Sequence, residues 1–246
     1  MKLNSANINV MIKACRKAFK VLIRDFGEIE KLQVSLKGPG DFVTMSDKKV
    51  EKIIIEELTK SRKKFSILSE EIGEIKNSDK DNCWIIDPID GTTNFLHGIP
   101  HFAISIALRK KQEIISGLIF DPIKNEMFYA EKNGGAYFNN QRIRVSKKKK
   151  IEECLFATGG KNEINNILNN RRSGSAALDM AYVGAGRYDG YFQKNLNIWD
   201  IAAGIIIVKE AGGKINDINC STIKDHQVLA ASNAVYEKMI ENLNNF

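Results

Sequence analysis

The sequence predicts a mixed α/β protein of 246 residues in which helices pair around two sheets. Three observations carry that expectation: helical spacing of apolar residues near the N-terminus, a central run of short apolar segments divided by turn residues, and a C-terminal stretch in which the two patterns interleave. Val10, Ala14, Ala18 and Val21 fall on one face, predicting a helix over 4–29. A loop containing Lys37, Gly38, Pro39 and Gly40 follows, and a second helix covers 46–58. Strands are expected near 65–69, 82–87, 102–109, 112–121 and 125–131, the last three forming a meander with Gly134-Gly135 and Asn139-Asn140 as turns. Helices recur near 161–170, 174–186, 199–211 and 233–243, between short strands near 154–158, 188–192, 214–217 and 227–231.

With 43% hydrophobic and 27% charged residues, the chain can bury one sizeable core or two closely fused halves. No linker divides it, so a single domain over 1–246 is expected, with halves of about 1–145 and 146–246. The one biased tract, Lys147 to Lys150, reads as a solvated turn. Asn4, Ser5, Asn7 and Asn9 replace the apolar core of a signal peptide, and Ile201 to Val208 is far too short to span a bilayer. A soluble, cytoplasmic protein without membrane attachment is expected. Cys15, Cys83, Cys154 and Cys220 lie far apart without CxxC spacing, which predicts reduced, buried thiols. His97 and His101 are separated by Gly98 and Pro100, which break the helix that a paired imidazole site needs. The net charge of +7 permits a nucleic-acid partner, yet there is no RNA-binding motif and no interleaving of aromatics with basic residues.

The chemistry concentrates in residues 84–95, WIIDPIDGTTNF. Trp84, Ile85 and Ile86 read as a buried strand stopped by Asp87-Pro88 and Asp90-Gly91, which leaves two carboxylates at its mouth. Carboxylates suit Mg2+, and the amides of Gly91 and Thr92 are the first free N–H groups of a following helix, an anion-binding arrangement. Three further segments supply acids. Ser69-Glu70-Glu71 ends a strand, Trp199-Asp200 opens a helix, and Thr44-Met45-Ser46-Asp47 opens another. Each also has a structural reading: ordinary turn chemistry, an N-cap at Asp200, a capping box at Thr44 and Asp47, a solvated charge at Glu70 or Glu71. Together they point to a metal-dependent phosphatase, because hydrolysis of a phosphate monoester demands a very large barrier reduction from charge stabilisation and activated water.

These segments, with DFVTMSD at 41–47, RRSGSAALDMAYVGAGRYDGYF at 171–192 and WDIAAGIIIVKEAGG at 199–213, resemble the inositol monophosphatase family of Mg2+-dependent, lithium-sensitive phosphatases, especially its bacterial members. The resemblance covers nearly the whole chain. It implies a layered α-β-α-β-α sandwich, usually a homodimer, and two to three Mg2+ ions. By the same resemblance Glu70, Asp87 and the Ile89 carbonyl hold a first ion, Asp87, Asp90 and Asp200 a second, and Glu70 with water a third. Thr92 and Asp47 orient the attacking water, Gly91 and Thr92 present N–H groups to the phosphate, and Lys37 sits on a loop beside the metals. Ala176 touches the substrate ring, and Asp90, Gln193 and Asp200 complete the substrate contacts.

Inositol 1-phosphate is the substrate that this implies, with fructose bisphosphate, phosphoadenosine phosphate and histidinol phosphate as the alternatives of the wider superfamily. Gln193 departs from the family, which commonly has a glutamate there, and 159–170 is shorter than its counterpart in most relatives. Some bacterial relatives associate with the RNA polymerase machinery, and Arg171 and Arg172 resemble an arginine pair near a dimer or partner surface. A transcription or RNA partner is therefore the second expectation.

Overall fold

The computed structural model describes residues 4–28, 34–38, 41–160 and 169–243. Helix α1 (Ala6–Gly27) starts where the Ser5 hydroxyl accepts the Ile8 N–H at 3.3 Å, and it buries Met11, Ala14, Cys15, Ala18 and Leu22. Helix α2 (Met45–Ser61) packs beside it and buries Val50, Ile54 and Leu58. Between them β1 (Val34–Gly38) and β2 (Asp41–Thr44) form an antiparallel pair with Leu36 opposite Phe42. Lys37 thus lies in a strand, at the irregular register between Leu36 and Gly38, and not in the expected loop. Val34, Leu36, Phe42 and Val43 are strand formers on either side of a turn sequence, and the turn residues had hidden them.

The larger sheet contains β3 (Phe65–Ser69), β4 (Gly73–Ile75), β5 (Asp79–Asp90), β6 (Ala103–Lys110), β7 (Glu113–Asp121), β8 (Glu126–Glu131), β9 (Gly135–Phe138) and β10 (Gln141–Arg142). Its order is β10-β9-β8-β7-β6-β5-β3-β4, antiparallel except where β3 meets β5, and the short helix α3 (Thr92–Leu96) follows β5. The smaller sheet is β12-β11-β13-β15-β14, built from β11 (Phe156–Ala157), β12 (Asn170–Arg171), β13 (Gly190–Leu196), β14 (Gly213–Ile215) and β15 (His226–Ser232). Most of the helix expected near 161–170 lies outside the described residues. Its end is a strand, because Phe156 N–H donates to Asn169 O at 3.0 Å and Thr158 N–H to Arg171 O at 2.9 Å, cross-strand bonds that a helix would forfeit.

Period-two alternation in the central strands feeds two separate cores. Trp84, Ile86, Ile104, Ile106 and Leu118 face α1 and α2, whereas Cys83, Ile85, Ala103, Ala107 and Ile119 face α4 (Ala176–Gly184) and α5 (Ile198–Glu210). Helix α5 is apolar nearly all round, as a helix enclosed between two sheets must be. Phe156, Phe192 and Leu229 on the far side of the smaller sheet meet Tyr236 and Met239 of α6 (Tyr236–Asn242). The layers are therefore α-β-α-β-α. At Gly117 a Cβ would lie 2.8 Å from Ala203 Cα and 2.9 Å from Ala203 O, so α5 approaches β7 as closely as only glycine permits.

All four cysteines are buried and free, as expected. The lysine run lies in irregular chain, but Lys148 is more than a solvated charge: its Nζ meets the buried Asp189 Oδ2 at 2.9 Å.

Candidate active site

Strand β5 was expected to stop at Asp87, but it runs to Asp90 through an irregular register against β6. Asp87 pairs with Ser105 and Asp90 with Ala103, so three steps on β5 face two on β6. Residues three apart on a regular strand point to opposite faces; the one-residue bulge turns both acids the same way. Asp87, Asp90 and Asp200 each place a carboxylate oxygen within 4.8 Å of the others.

Each of the three acids is oriented by a backbone N–H. Asp87 Oδ1 accepts from Ile89 N–H at 3.0 Å, and Asp90 Oδ2 from Ala177 N–H at 2.9 Å and from the Ser175 hydroxyl. Asp200 Oδ2 accepts from Asn197 N–H at 2.8 Å as the third residue of α5, where Asn197 is the N-cap. Asp200 is therefore half of a capping box, and the same carboxylate stands in the acid cluster.

Glu70 follows β3 and reaches the same cavity, of about 280 Å³, which is also lined by Asp87, Ile89, Asp90, Gly91, Thr92 and Asp200. Its turn is braced from α2, where the buried Glu51 Oε1 accepts from the Ser69 hydroxyl, from Glu71 N–H at 3.0 Å and from Ile72 N–H at 3.3 Å. Burial, and then the charges of Glu70, Asp90 and Asp200, raise the Asp87 carboxyl well above the usual carboxylate range. Burial pushes Asp90 up to about 6, against hydrogen bonds from Ser175, Ala177 and Ala176 that lower it. No lysine, arginine or histidine lines this cavity among the described residues. Clustered oxygen donors without a basic side chain among them are a donor set for hard divalent cations, and the residues present fit Mg2+.

Thr92 Oγ1 donates to the Ile89 carbonyl at 2.9 Å and lies 3.4 Å from Asp47 Oδ1. Asp47 is fully buried on α2 and meets the cavity through Thr92 without lining it. Gly91 has φ +97°, and a Cβ there would lie 3.2 Å from both Gly174 O and His101 O. Asn94 fixes the same corner by donating from Nδ2 to His101 O and Ser173 O, each at 2.8 Å. Ala176 and Gln193 also line the cavity, with Gly159, Gly174, Ser175, Asp179 and Leu196. Of the expected residues, Lys37 alone has no described place here. Sequence reasoning missed Ser175, Asn94 and Glu51; only Glu51 carried a signal, since it follows Asp47 by four residues on the otherwise apolar face Val50, Ile54, Leu58.

The chain is similar to known proteins in sequence and fold. The model of the inositol monophosphatase family matches residues 4–245. An inositol-1-monophosphatase from Rhizobium meliloti is 48% identical over 228 residues, covering 87% of this chain and 86% of that one. The Nus factor SuhB of Escherichia coli K12 is 40% identical over 225 residues, covering 85% and 84%. Among solved structures, the extragenic suppressor protein suhB from Bartonella henselae superposes with a TM-score of 0.93 at 45% identity, covering 98% of this chain and 99% of that one. An IMPase from Thermotoga maritima gives 0.87 at 36% identity, covering 97% and 96%. The bulged acid pair, the layered fold and the match along the chain agree, and the protein belongs to the inositol monophosphatase family, as a phosphoric monoester hydrolase.

Proposed function

We propose that the protein hydrolyses small phosphate monoesters with Mg2+, inositol 1-phosphate among them, by in-line attack of water. The observation that carries this reading is the three-acid cluster, drawn from two distant parts of the chain and oriented residue by residue by backbone N–H groups. Glu70, Asp87, Asp90, Asp200 and the Ile89 carbonyl are the residues that would hold two to three ions. Bound divalent cations supply Lewis-acid stabilisation of the phosphate and acidify water. With the Ile89 carbonyl engaged by a cation, the Thr92 hydroxyl would turn its proton to Asp47, 3.4 Å away, and its oxygen would accept a hydrogen bond from the attacking water and so aim it. Gly91 and Thr92 supply N–H groups to the phosphate, Ala176 and Gln193 touch the alcohol, and Lys37 belongs to the neighbouring hairpin. The chain works as one domain, a reading supported by a central core cluster that takes residues from both sheets.

A second role, as a partner of the transcription machinery, is favoured by the relatives named Nus factor SuhB and by the exposed Arg171 and Arg172. We place the protein in the cytoplasm as a homodimer; among the described residues no helix is long and apolar enough to cross a membrane. Phosphate release by wild type and by Asp90→Asn, with Mg2+ and then Li+ titrated, tests the primary reading. Loss of Mg2+-dependent turnover in the variant and inhibition by Li+ support it; a folded wild type that releases phosphate from no monoester refutes it.

A further inference from the structure

The cavity has two chemically different ends. Glu70, Asp87, Asp90 and Asp200 line it as the acid cluster, whereas Gly159, Gln193 and Leu196 line the part that the proposed function gives to the departing alcohol, together with Asp179, whose carboxylate accepts the Ser173 hydroxyl at 2.7 Å. Tyr191 and Gln193 stand two residues apart on β13 and so point to the same side of the sheet. The buried Tyr191 hydroxyl donates to Gln193 Oε1 at 2.7 Å. Beneath the amide, a Cβ on Gly159 would lie 2.1 Å from Oε1 and 2.6 Å from Nε2, so the glycine leaves the space in which the amide lies. The amide oxygen is thereby committed to Tyr191, and it is the NH2 group, which donates to no described residue, that remains for a ligand. Beyond it, Arg172 Nη2 donates to Gly159 O at 3.3 Å, which stations a guanidinium at the rim. After Gln193 the pairing of β13 with β15 becomes irregular, and Leu196 enters the wall as an apolar neighbour.

We infer that the Tyr191–Gln193 pair makes the alcohol end of the cavity a hydrogen-bond-donor subsite, selecting phosphate monoesters whose alcohol carries an anionic acceptor such as a carboxylate. The inference rests on the phosphatase reading above and specifies the substrate class of the same site. A neutral amide that offers only N–H groups stabilises an acceptor and carries no charge to repel an anion. Arg172 adds a positive field at the mouth. Tyr191 is a positioning residue, because it acts on the substrate only through the amide that it holds.

The test compares 2-phosphoglycerate with glycerol 2-phosphate, which differ by one carboxylate, in steady-state kinetics at fixed free Mg2+. Wild type is expected to favour 2-phosphoglycerate in kcat/KM by tenfold or more. Gln193→Glu should lower that ratio at least tenfold, and Gln193→Met and Tyr191→Phe should lower it by a smaller factor; any variant is scored only if its thermal transition shows it folded. Gln193→Met, neutral and of similar length, keeps the test decisive if the glutamate variant fails to fold. A wild-type ratio of one or less, or a ratio that none of the folded variants moves while both esters are cleaved, overturns the inference and leaves the phosphatase reading standing. Absence of turnover of both esters and of inositol 1-phosphate by folded, Mg2+-saturated wild type overturns both.

Discussion

The backbone N–H of Ala177 donates to Asp90 Oδ2 at 2.9 Å across 87 residues of chain, so the first turn of α4 holds a carboxylate of the acid cluster on β5 in place. Ser175 reinforces the grip, since its hydroxyl bonds the same oxygen while capping α4 by accepting the Leu178 N–H at 3.3 Å. Ser175→Ala removes both a cap and a hydrogen bond to a charged group. A loss of about 2 kcal/mol in stability is expected from the two. The Mg2+ concentration for half-maximal activity should rise as well, read by titrating the metal at saturating substrate.

In the proposed mechanism Thr92 and Asp47 aim water and the acids hold the cations, so the two classes of variant should separate. Thr92→Ala and Asp47→Asn are expected to lower kcat by about 100-fold, or about 2.7 kcal/mol. Asp87→Asn should lower it further, because its carboxylate bridges both ions in the proposed site. Thr92→Ser keeps the hydroxyl and should retain most of the turnover.

Crowded acids cost stability when no cation is present. Asp87 faces Glu70, Asp90 and Asp200 while buried, and a neutral amide at that position relieves the repulsion. Asp87→Asn should therefore raise the melting temperature of the metal-free protein by about 2–4 °C, the equivalent of about 1 kcal/mol for a chain of this size. The rise that Mg2+ produces in wild type should shrink or vanish in the variant. Differential scanning calorimetry with and without a chelator reads both.

Gly117→Ala tests the seating of α5. The new methyl would meet Ala203 O at 2.9 Å and the Ile206 side chain at 2.7 Å, and only the side chain can give way. Overpacking of this kind costs about 1–3 kcal/mol. Because Asp200 rides on the same helix, activity should fall along with the urea midpoint.

Away from the site, Glu57 of α2 receives Lys13 and Lys17 of α1. Hydrogen bonds from Lys13 and then Lys17 lower its carboxyl from 4.5 to about 2. A depressed carboxylate adds stability that is complete above its unfolded value and is lost as pH falls through its folded value. Glu57→Gln should thus be less stable than wild type at neutral pH, with the difference closing between about pH 4.5 and pH 2. Chemical denaturation at a series of pH values measures it.

Much of this was legible because local pattern and global fold agree. Apolar spacing placed α1, α2 and α5, and alternation placed the central strands, each within a few residues of the observed ends. Errors arose where one residue type sends two messages. Pro88 reads as a strand breaker, yet a bulge accommodates it, and β5 continues to Asp90. The Gly38-Pro39-Gly40 run reads as loop and obscured the hairpin strands that flank it. Glu70, Asp87, Asp90 and Asp200 were recognisable as acids at element ends. Their braces were not, since Ser175 and Ala177 reach Asp90 from more than eighty residues away and nothing in either segment names the other.

The acids come from different elements: Asp87 and Asp90 hang from a strand of the larger sheet, and Asp200 from the helix lodged between the sheets. Only with that helix seated on the sheet do the three carboxylates stand within 4.8 Å of one another. The Mg2+-dependent turnover proposed above is consequently a certificate of finished construction, issued only to molecules in which α5 has docked.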